Sequence, residues 1–164
     1  MEFRYWPYFC EENLWHLCAD ERLPVPVEER RVVLITGVRG RFAMRHQRAG
    51  SPVLWDYHVV LRARGQIWDL DTTLGLPVDF DDWLSGSFLP AYRDFVPRFR
   101  VVDAAVYRET FASDRSHMVG PDGVPLKPHP PWPPIGAGMT LPRFIDMDQA
   151  YVGDVLDLER FRRS

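Results

Sequence analysis

The sequence Leu54-Trp55-Asp56-Tyr57-His58-Val59-Val60-Leu61 is followed, across Arg64-Gly65, by Ile67-Trp68-Asp69-Leu70-Asp71-Thr72. Side chains that are β-branched or aromatic dominate both runs, as is typical of strands. A glycine at the centre of the connection favours a tight turn. The two runs therefore predict a pair of adjacent antiparallel strands, with a histidine on the first strand and two aspartates on the second.

Side chains alternate between the two faces of a strand, so the register decides which aspartate meets the histidine. With a two-residue loop at Arg64-Gly65, His58 lies opposite Asp71, and Asp69 lies diagonal to His58 on the same face. A register shift of two residues would bring Asp69 directly opposite. A carboxylate beside a histidine fixes the ring tautomer and stabilises the imidazolium. On the hairpin alone, however, an ordinary ion pair at a sheet edge is the simpler interpretation.

A cysteine near the start of the chain changes that assessment. Residues 9–20 predict a helix with an apolar stripe, and Cys10 lies at its N-terminus, where the helix dipole favours a thiolate. Glu11 and Glu12 suit the first turn of a helix, but their charges oppose a thiolate, so activation would need a histidine partner. Cys18 lies on the apolar stripe about 12 Å along the helix axis, too far for a disulfide with Cys10.

Composition excludes several classes of function. The 164 residues carry a formal net charge of -3, which does not indicate a nucleic acid or an anionic membrane as a partner. No apolar run reaches the length of a membrane span, and the N-terminal residues lack the pattern of a signal peptide. The spacing of cysteines and histidines does not indicate a metal site. We therefore expect a cytoplasmic protein with two free thiols.

The remaining elements suggest one domain over residues 1–164. Residues 32–36 and 42–46 predict two further strands, which would complete a four-stranded antiparallel sheet with the central pair. Short helices are predicted after the caps Asp79 and Asp103 and near the C-terminus. Residues 128–134, rich in proline, predict an extended strap packed across its own domain, although a ligand for a proline-binding domain is an alternative.

Four motifs occur together in one order: Cys10-Glu11-Glu12-Asn13, Trp55-Asp56-Tyr57-His58-Val59, Asp69-Leu70-Asp71-Thr72 and residues 111–118. Together they resemble the protein N-terminal glutamine amidohydrolase family, whose name-giving motif is Trp-Asp-Tyr-His-Val. The resemblance runs from about Tyr8 to the C-terminus. Each motif alone would be weak, but the four in order are specific.

The resemblance implies an α+β fold similar to papain-like and transglutaminase-like cysteine hydrolases, with an antiparallel sheet and an N-terminal catalytic helix. It implies that the enzyme converts N-terminal glutamine on a protein to glutamate and ammonia, which in the eukaryotic N-degron pathway precedes arginylation. The nucleophile would be Cys10, the base His58 and the orienting acid Asp69, with no cofactor. The partners would be the N-termini of proteins or peptides, and we expect the enzyme to be a monomer.

Action only at the first residue implies a group that binds the α-ammonium, and carboxylates are the natural ligands. The candidates are Glu11 beside the nucleophile, Asp56 on the face of His58, and Asp114 in the polar loop of residues 111–118. Asp114 could instead pair with Arg115. His117, in the same loop, either lines the pocket or holds the loop. Two other functions stay open: a related thiol hydrolase or transglutaminase of different acyl specificity, and a non-catalytic module that binds N-termini.

Overall fold

The computed structural model describes residues 2–164, which fold around one antiparallel sheet. This sheet has six strands in the order β6-β5-β4-β1-β7-β8, and every neighbouring pair is antiparallel. The strands of this sheet are β1 Arg31–Gly37, β4 Tyr57–Ala63, β5 Gln66–Trp68, β6 Val78–Asp79, β7 Pro97–Asp103 and β8 Asp154–Asp157.

A second, two-stranded sheet corrects the prediction of four neighbouring strands. β2 (Phe42–Met44) pairs only with β3 (Val53–Trp55), and β1 pairs directly with β4. The predicted strand 54–61 is interrupted at Asp56, which is exposed, so its two halves belong to different sheets. Asp56 belongs to neither strand, because a chain that passes from one hydrogen-bonded sheet to another needs a connecting residue outside both.

Both faces of the six-stranded sheet are buried. Val32 and Leu34 of β1 face one hydrophobic core, whereas Val33 and Ile35 face a second core on the opposite side. This arrangement explains the uninterrupted apolar run of β1, since a strand covered on both faces has no polar side. The structure is a mixed arrangement of helices and an antiparallel sheet, consistent with the predicted α+β class; the likeness to papain and transglutaminases stays a prediction.

Within the described residues 2–164, five α-helices cover the sheets: α1 Cys10–Leu17, α2 Phe80–Phe88, α3 Ala104–Thr110, α4 Leu141–Ile145 and α5 Leu158–Arg162. The predicted cap at Asp79 is confirmed, because its carboxylate accepts hydrogen bonds from the N–H groups of Asp81 and Asp82. Asp103 precedes α3 but makes no side-chain cap; it pairs with Arg31 at 2.8 Å. Along residues 2–164, no helix combines the length and the apolar character needed to cross a membrane.

The proline-rich strap at residues 128–134 packs across the N-terminal part of the domain, as predicted. The indole Nε1 of Trp6 donates to the carbonyl of Pro128 at 2.7 Å, and the ring of Phe9 meets His129 edge-on at 5.8 Å. The strap thereby covers the segment that leads into α1, next to the candidate nucleophile.

Candidate active site

Cys10 is the first residue of α1, as predicted, and only 8% of its surface is exposed. The chain before it turns sharply, with Tyr8 at a φ of 68°. Asn13 clamps this turn, because its side chain accepts from the backbone N–H of Trp6 at 2.8 Å and donates to the Trp6 carbonyl at 2.9 Å. The backbone N–H groups at the start of α1 have no acceptor within the helix, so that of Cys10 can serve a ligand.

The surroundings of Cys10 favour the neutral thiol. Burial raises the pKa of the Cys10 thiol well above its usual value, and the nearby carboxylates of Glu11 and Asp71 raise it further. The thiol lies 3.7 Å from Glu11 Oε2, to which it donates a weak hydrogen bond. The backbone of Val59 acts in the opposite sense but does not outweigh these effects. The helix dipole alone therefore does not create a thiolate, in line with the expectation that a histidine is needed.

His58 contacts Asp69 and not Asp71. Its Nε2 lies 2.9 Å from Asp69 Oδ1, and both side chains are almost completely buried. The predicted hairpin register is confirmed where it exists, since Leu61 pairs with Trp68. The extension of that register to Asp71 was wrong, because β5 ends at Trp68 and the chain then turns. The turn brings the Asp69 carboxylate to Nε2 of the imidazole ring, a position that strand pairing alone does not predict.

The Asp69 carboxylate is fully hydrogen-bonded. Besides His58, it accepts from the backbone N–H of Asp71 at 3.0 Å, from Gln47 Nε2 at 3.0 Å and from Trp83 Nε1 at 3.1 Å. Burial acts to raise the pKa of Asp69, but the imidazole and these donors outweigh it and lower the pKa. Burial likewise acts to lower the pKa of His58, and Asp69 outweighs it, so the pKa of His58 is raised.

His58, Asp69 and Asp71 could in principle hold a metal ion, because one donor atom from each lies within 4.8 Å of the others. The donor set fits a metal poorly, however, since both Asp69 oxygens are already engaged by the four hydrogen bonds described above. What the arrangement suits is a histidine held in one tautomer, with Nε2 toward Asp69 and Nδ1 free for another partner.

A cavity of about 180 Å³ opens over the thiol and the imidazole. Cys10 and His58 both line it, so the structure brings the two reactive groups of the sequence prediction to one place. The Trp55 ring lies parallel to the His58 ring at 5.7 Å and shields it from solvent. The full lining consists of Tyr8, Cys10, Trp55, Asp56, Tyr57, His58, Asp71 and Met118.

Glu11 is fully buried next to the cavity, where simple helix-end electrostatics would have left it exposed. Its Oε2 accepts from the Tyr57 hydroxyl at 3.0 Å, and its Oε1 lies 3.3 Å from Nε2 of His117. The Tyr57 hydroxyl is also 3.1 Å from that nitrogen. His117 thus holds its loop against the wall of the site, because it contacts both Glu11 and Tyr57.

Glu12 is also fully buried, but it faces away from the cavity and toward Arg115. The guanidinium donates to both carboxylate oxygens at 2.8 Å, and Trp132 Nε1 donates to Oε2 at 2.7 Å. Arg115 therefore pairs with Glu12 and not with Asp114. This ion pair joins α1 to the loop that carries Arg115, and the hydrogen bonds of Trp132 join both to the strap.

The other predicted carboxylates are not brought into the site to the same degree. Asp56 lines the mouth of the cavity, but its side chain is 86% exposed and lies 3.5 Å from Arg41. Asp114 is exposed, does not line the cavity, and accepts a hydrogen bond from the backbone N–H of Ser116 at 2.9 Å.

Sequence reasoning missed the residues that reach the site from distant parts of the chain. Gln47 and Trp83 support Asp69 from outside the hairpin, and no local pattern links them to it. Tyr57 and Trp55 belong to the Trp-Asp-Tyr-His-Val motif, so their closeness to His58 in the sequence is a signal that could have identified them as site residues. Alternation alone suggested that Tyr57 faces away from the histidine, but its long side chain still reaches the cavity.

The chain is similar to known proteins over most of its length. The family model for N-terminal glutamine amidase matches residues 5–164. The chain is 40% identical over 156 residues to the protein N-terminal glutamine amidohydrolase of Homo sapiens, covering 85% of this chain and 76% of the relative. It is 33% identical over 179 residues to the protein of the same name from Arabidopsis thaliana, covering 96% and 81%. The chain therefore belongs to the N-terminal glutamine amidase family.

Proposed function

We propose that this protein hydrolyses the side-chain amide of an N-terminal glutamine on a protein or peptide, giving N-terminal glutamate and ammonia. The observation that carries the proposal is one cavity shared by a helix-start cysteine and a histidine that is hydrogen-bonded to a buried aspartate. Family membership, and the names of the relatives, support N-terminal glutamine as the substrate.

In the first step, Nδ1 of His58 takes the proton of the Cys10 thiol while the sulfur attacks the side-chain carbonyl carbon. Proton transfer accompanies attack because the raised pKa of Cys10 favours the thiol in the free enzyme. The C=O bond electrons move to oxygen, and the backbone N–H of Cys10 donates to the resulting oxyanion. The buried Asp69 holds the imidazolium that forms.

In the second step, the imidazolium of His58 gives its proton to the amide nitrogen, the C–N bond breaks and ammonia leaves. The acyl group is then joined to Cys10 as a thioester. In the third step, water attacks the thioester while His58 accepts one of its protons. The C–S bond breaks, glutamate is released, and the proton returns from His58 to the sulfur. The balance is one amide and one water converted to one carboxylic acid and ammonia.

The two alternative functions predict different substrate behaviour. A transglutaminase or a general thiol hydrolase would use the same Cys10, His58 and Asp69 but would not require a free α-amine. A binding module would release no ammonia from any substrate, and it would not need a reactive thiol in its cavity.

The test is ammonia release from three peptides of otherwise identical sequence that begin with glutamine, acetyl-glutamine and asparagine. We expect release only from the first, because a site built for a polar group rejects analogues that lack it by about 10⁴–10⁵. Asparagine is one methylene shorter, so its carbonyl falls short of Cys10. Comparable release from acetyl-glutamine would indicate a general hydrolase or transglutaminase, and no release from any peptide would favour the binding module.

A further inference from the structure

Asp71 lies in the cavity without any assigned role, and its position is firmly fixed. Its carboxylate Oδ1 accepts from the Tyr5 hydroxyl at 2.6 Å. Its backbone N–H donates to Asp69 Oδ1 at 3.0 Å, and its carbonyl accepts from the N–H of Arg48 at 2.8 Å. One hydrogen bond to the carboxylate and two to the backbone thus hold the half-buried Asp71 beside the proposed triad.

Within residues 2–164, no Lys, Arg or His nitrogen lies within 4.0 Å of the Asp71 carboxylate. This carboxylate lines the cavity over Cys10 and also a neighbouring cavity of about 150 Å³. Tyr8 and Trp55 also line both cavities. Asp71, Tyr8 and Trp55 therefore surround the point where the two cavities adjoin. An acidic group in such a place is suited to a cation that arrives with the substrate.

We propose that Asp71 binds the α-ammonium group of the substrate's first residue, and that the bound ammonium offsets the negative charge that otherwise keeps Cys10 a neutral thiol. The inference rests on the proposed function and names the group that would read the free N-terminus. In glutamine, four bonds separate the α-nitrogen from the side-chain carbonyl carbon, a span of roughly 5 Å. Asp71 and Cys10 line the same cavity, so the ammonium and the side-chain carbonyl would occupy one cavity and the second residue would enter the neighbouring one.

The second half of the proposal follows from the charges around the thiol. After burial, Glu11 and Asp71 are the groups that raise the pKa of Cys10. A positive charge placed on Asp71 reduces this unfavourable interaction, so that the same ammonium positions the substrate and eases proton transfer to His58. The titratable and charged groups around Cys10 and Asp71 are Tyr5, Tyr8, Glu11, Arg48, Asp56, Tyr57, His58, Asp69, Tyr107 and His117.

The other carboxylates fit this role less well. Asp56 is largely solvated and close to Arg41, so it gains little from a second cation. Asp114 does not line the cavity. Glu11 has no exposed surface and does not line the cavity; its Oε2 accepts from the Tyr57 hydroxyl, and its Oε1 lies 3.3 Å from His117 Nε2. Asp71 alone among these combines partial exposure, a fixed position and a place on the cavity wall.

The experiment compares wild-type enzyme, Asp71→Asn and the matched control Asp56→Asn, which removes the same charge from the mouth of the same cavity. Each is given a glutamine peptide and its desamino analogue, in which a 4-carbamoylbutanoyl group replaces glutamine. For wild type and Asp56→Asn we expect kcat/KM to favour the amine-bearing peptide by about a hundredfold or more. For Asp71→Asn we expect this preference to fall to within about tenfold, mainly through KM.

Alkylation of Cys10 by iodoacetamide at pH 8 supplies the second measurement. Removing the Asp71 charge should speed alkylation by about threefold or more, while hydrolysis of the glutamine peptide slows. A purely structural role would leave the pH dependence of alkylation unchanged, whereas loss of the charge shifts it to lower pH. A preference for the amine that persists in Asp71→Asn, or alkylation that does not speed up, would overturn the inference. A wild-type enzyme that releases no ammonia would instead overturn the proposed function.

If Asp71→Asn does not fold, as judged by circular dichroism, Asp71→Glu replaces it. This variant keeps the charge and shifts the carboxylate by one methylene. We expect alkylation at the wild-type rate and a higher KM for the glutamine peptide. An unchanged KM would contradict the proposed contact with the ammonium.

Discussion

Replacing Glu12 by glutamine tests whether the buried ion pair behind the cavity is structural. Glutamine has nearly the same shape as glutamate, so the change creates no void. It replaces two anionic acceptors by one neutral acceptor and an NH₂ group. Three donors meet at this carboxylate: Nε and Nη2 of Arg115, and Nε1 of Trp132.

The magnitude follows from burial. The Glu12 side chain has no exposed surface and that of Arg115 is 6% exposed, so the guanidinium would be left buried without its counter-charge. Breaking such a pair costs about 3–5 kcal/mol. For a chain of this length, this corresponds to a fall in Tm of about 6–20 °C. One remaining hydrogen bond, from Arg115 to the carbonyl of Trp132 at 2.8 Å, keeps the cost from being larger.

The assay is urea denaturation followed by tryptophan fluorescence, with Glu159→Gln as the control. Glu159 pairs with Arg163 on the surface at 3.2 Å, with side chains 64% and 80% exposed, so its loss should change stability by less than about 0.5 kcal/mol. A Glu12→Gln variant within about 1 kcal/mol of wild type would show that burial does not make this ion pair matter more than a surface pair.

Three further predictions concern the site. Cys18→Ala should cost about 1–2 kcal/mol of unfolding free energy and leave ammonia release nearly unchanged, because Cys18 is a buried core residue; loss of activity in a folded variant would count against this. Asp69→Asn should lower kcat by about three to four orders of magnitude, since the amide no longer fixes the His58 tautomer or stabilises its cation; steady-state kinetics would reveal a milder effect. Alkylation of free Cys10 by iodoacetamide should still be rising with pH above 9, because burial, Glu11 and Asp71 raise its pKa; a plateau near pH 7 would indicate a preformed thiolate.

Local pattern predicted the hairpin well but not the segment after it. The pairing of Ala63 with Gln66 follows from turn chemistry, and it holds as far as Trp68. Beyond that point, long-range contacts decide the path. Asp69 turns inward because Gln47 and Trp83, which lie 22 and 14 residues away, supply its hydrogen bonds. Such partners have no periodic signature, so geometry alone ranked the wrong aspartate nearer to the histidine.

The charged residues of the core show the same limit. Two glutamates in a first helical turn suggest a solvated end, but Glu12 is buried because Arg115, 103 residues away, pairs with it. Arg100, in the middle of β7, is buried because backbone carbonyls of the segment 144–152 accept the hydrogen bonds of its guanidinium group. The pattern of neighbouring residues in the sequence cannot predict a partner from a distant part of the chain.

The proposed reaction is tested by the rate of ammonia release from a glutamine-starting peptide by wild-type enzyme and by Cys10→Ala, measured at equal concentration of folded protein. We expect steady release by the wild type, with conversion of the peptide's first residue to glutamate. We expect no release above background by Cys10→Ala, because the proposed acyl intermediate forms on the Cys10 sulfur. Undiminished release by Cys10→Ala would contradict the assignment of the nucleophile, and no release by the wild-type enzyme would contradict the proposed reaction itself.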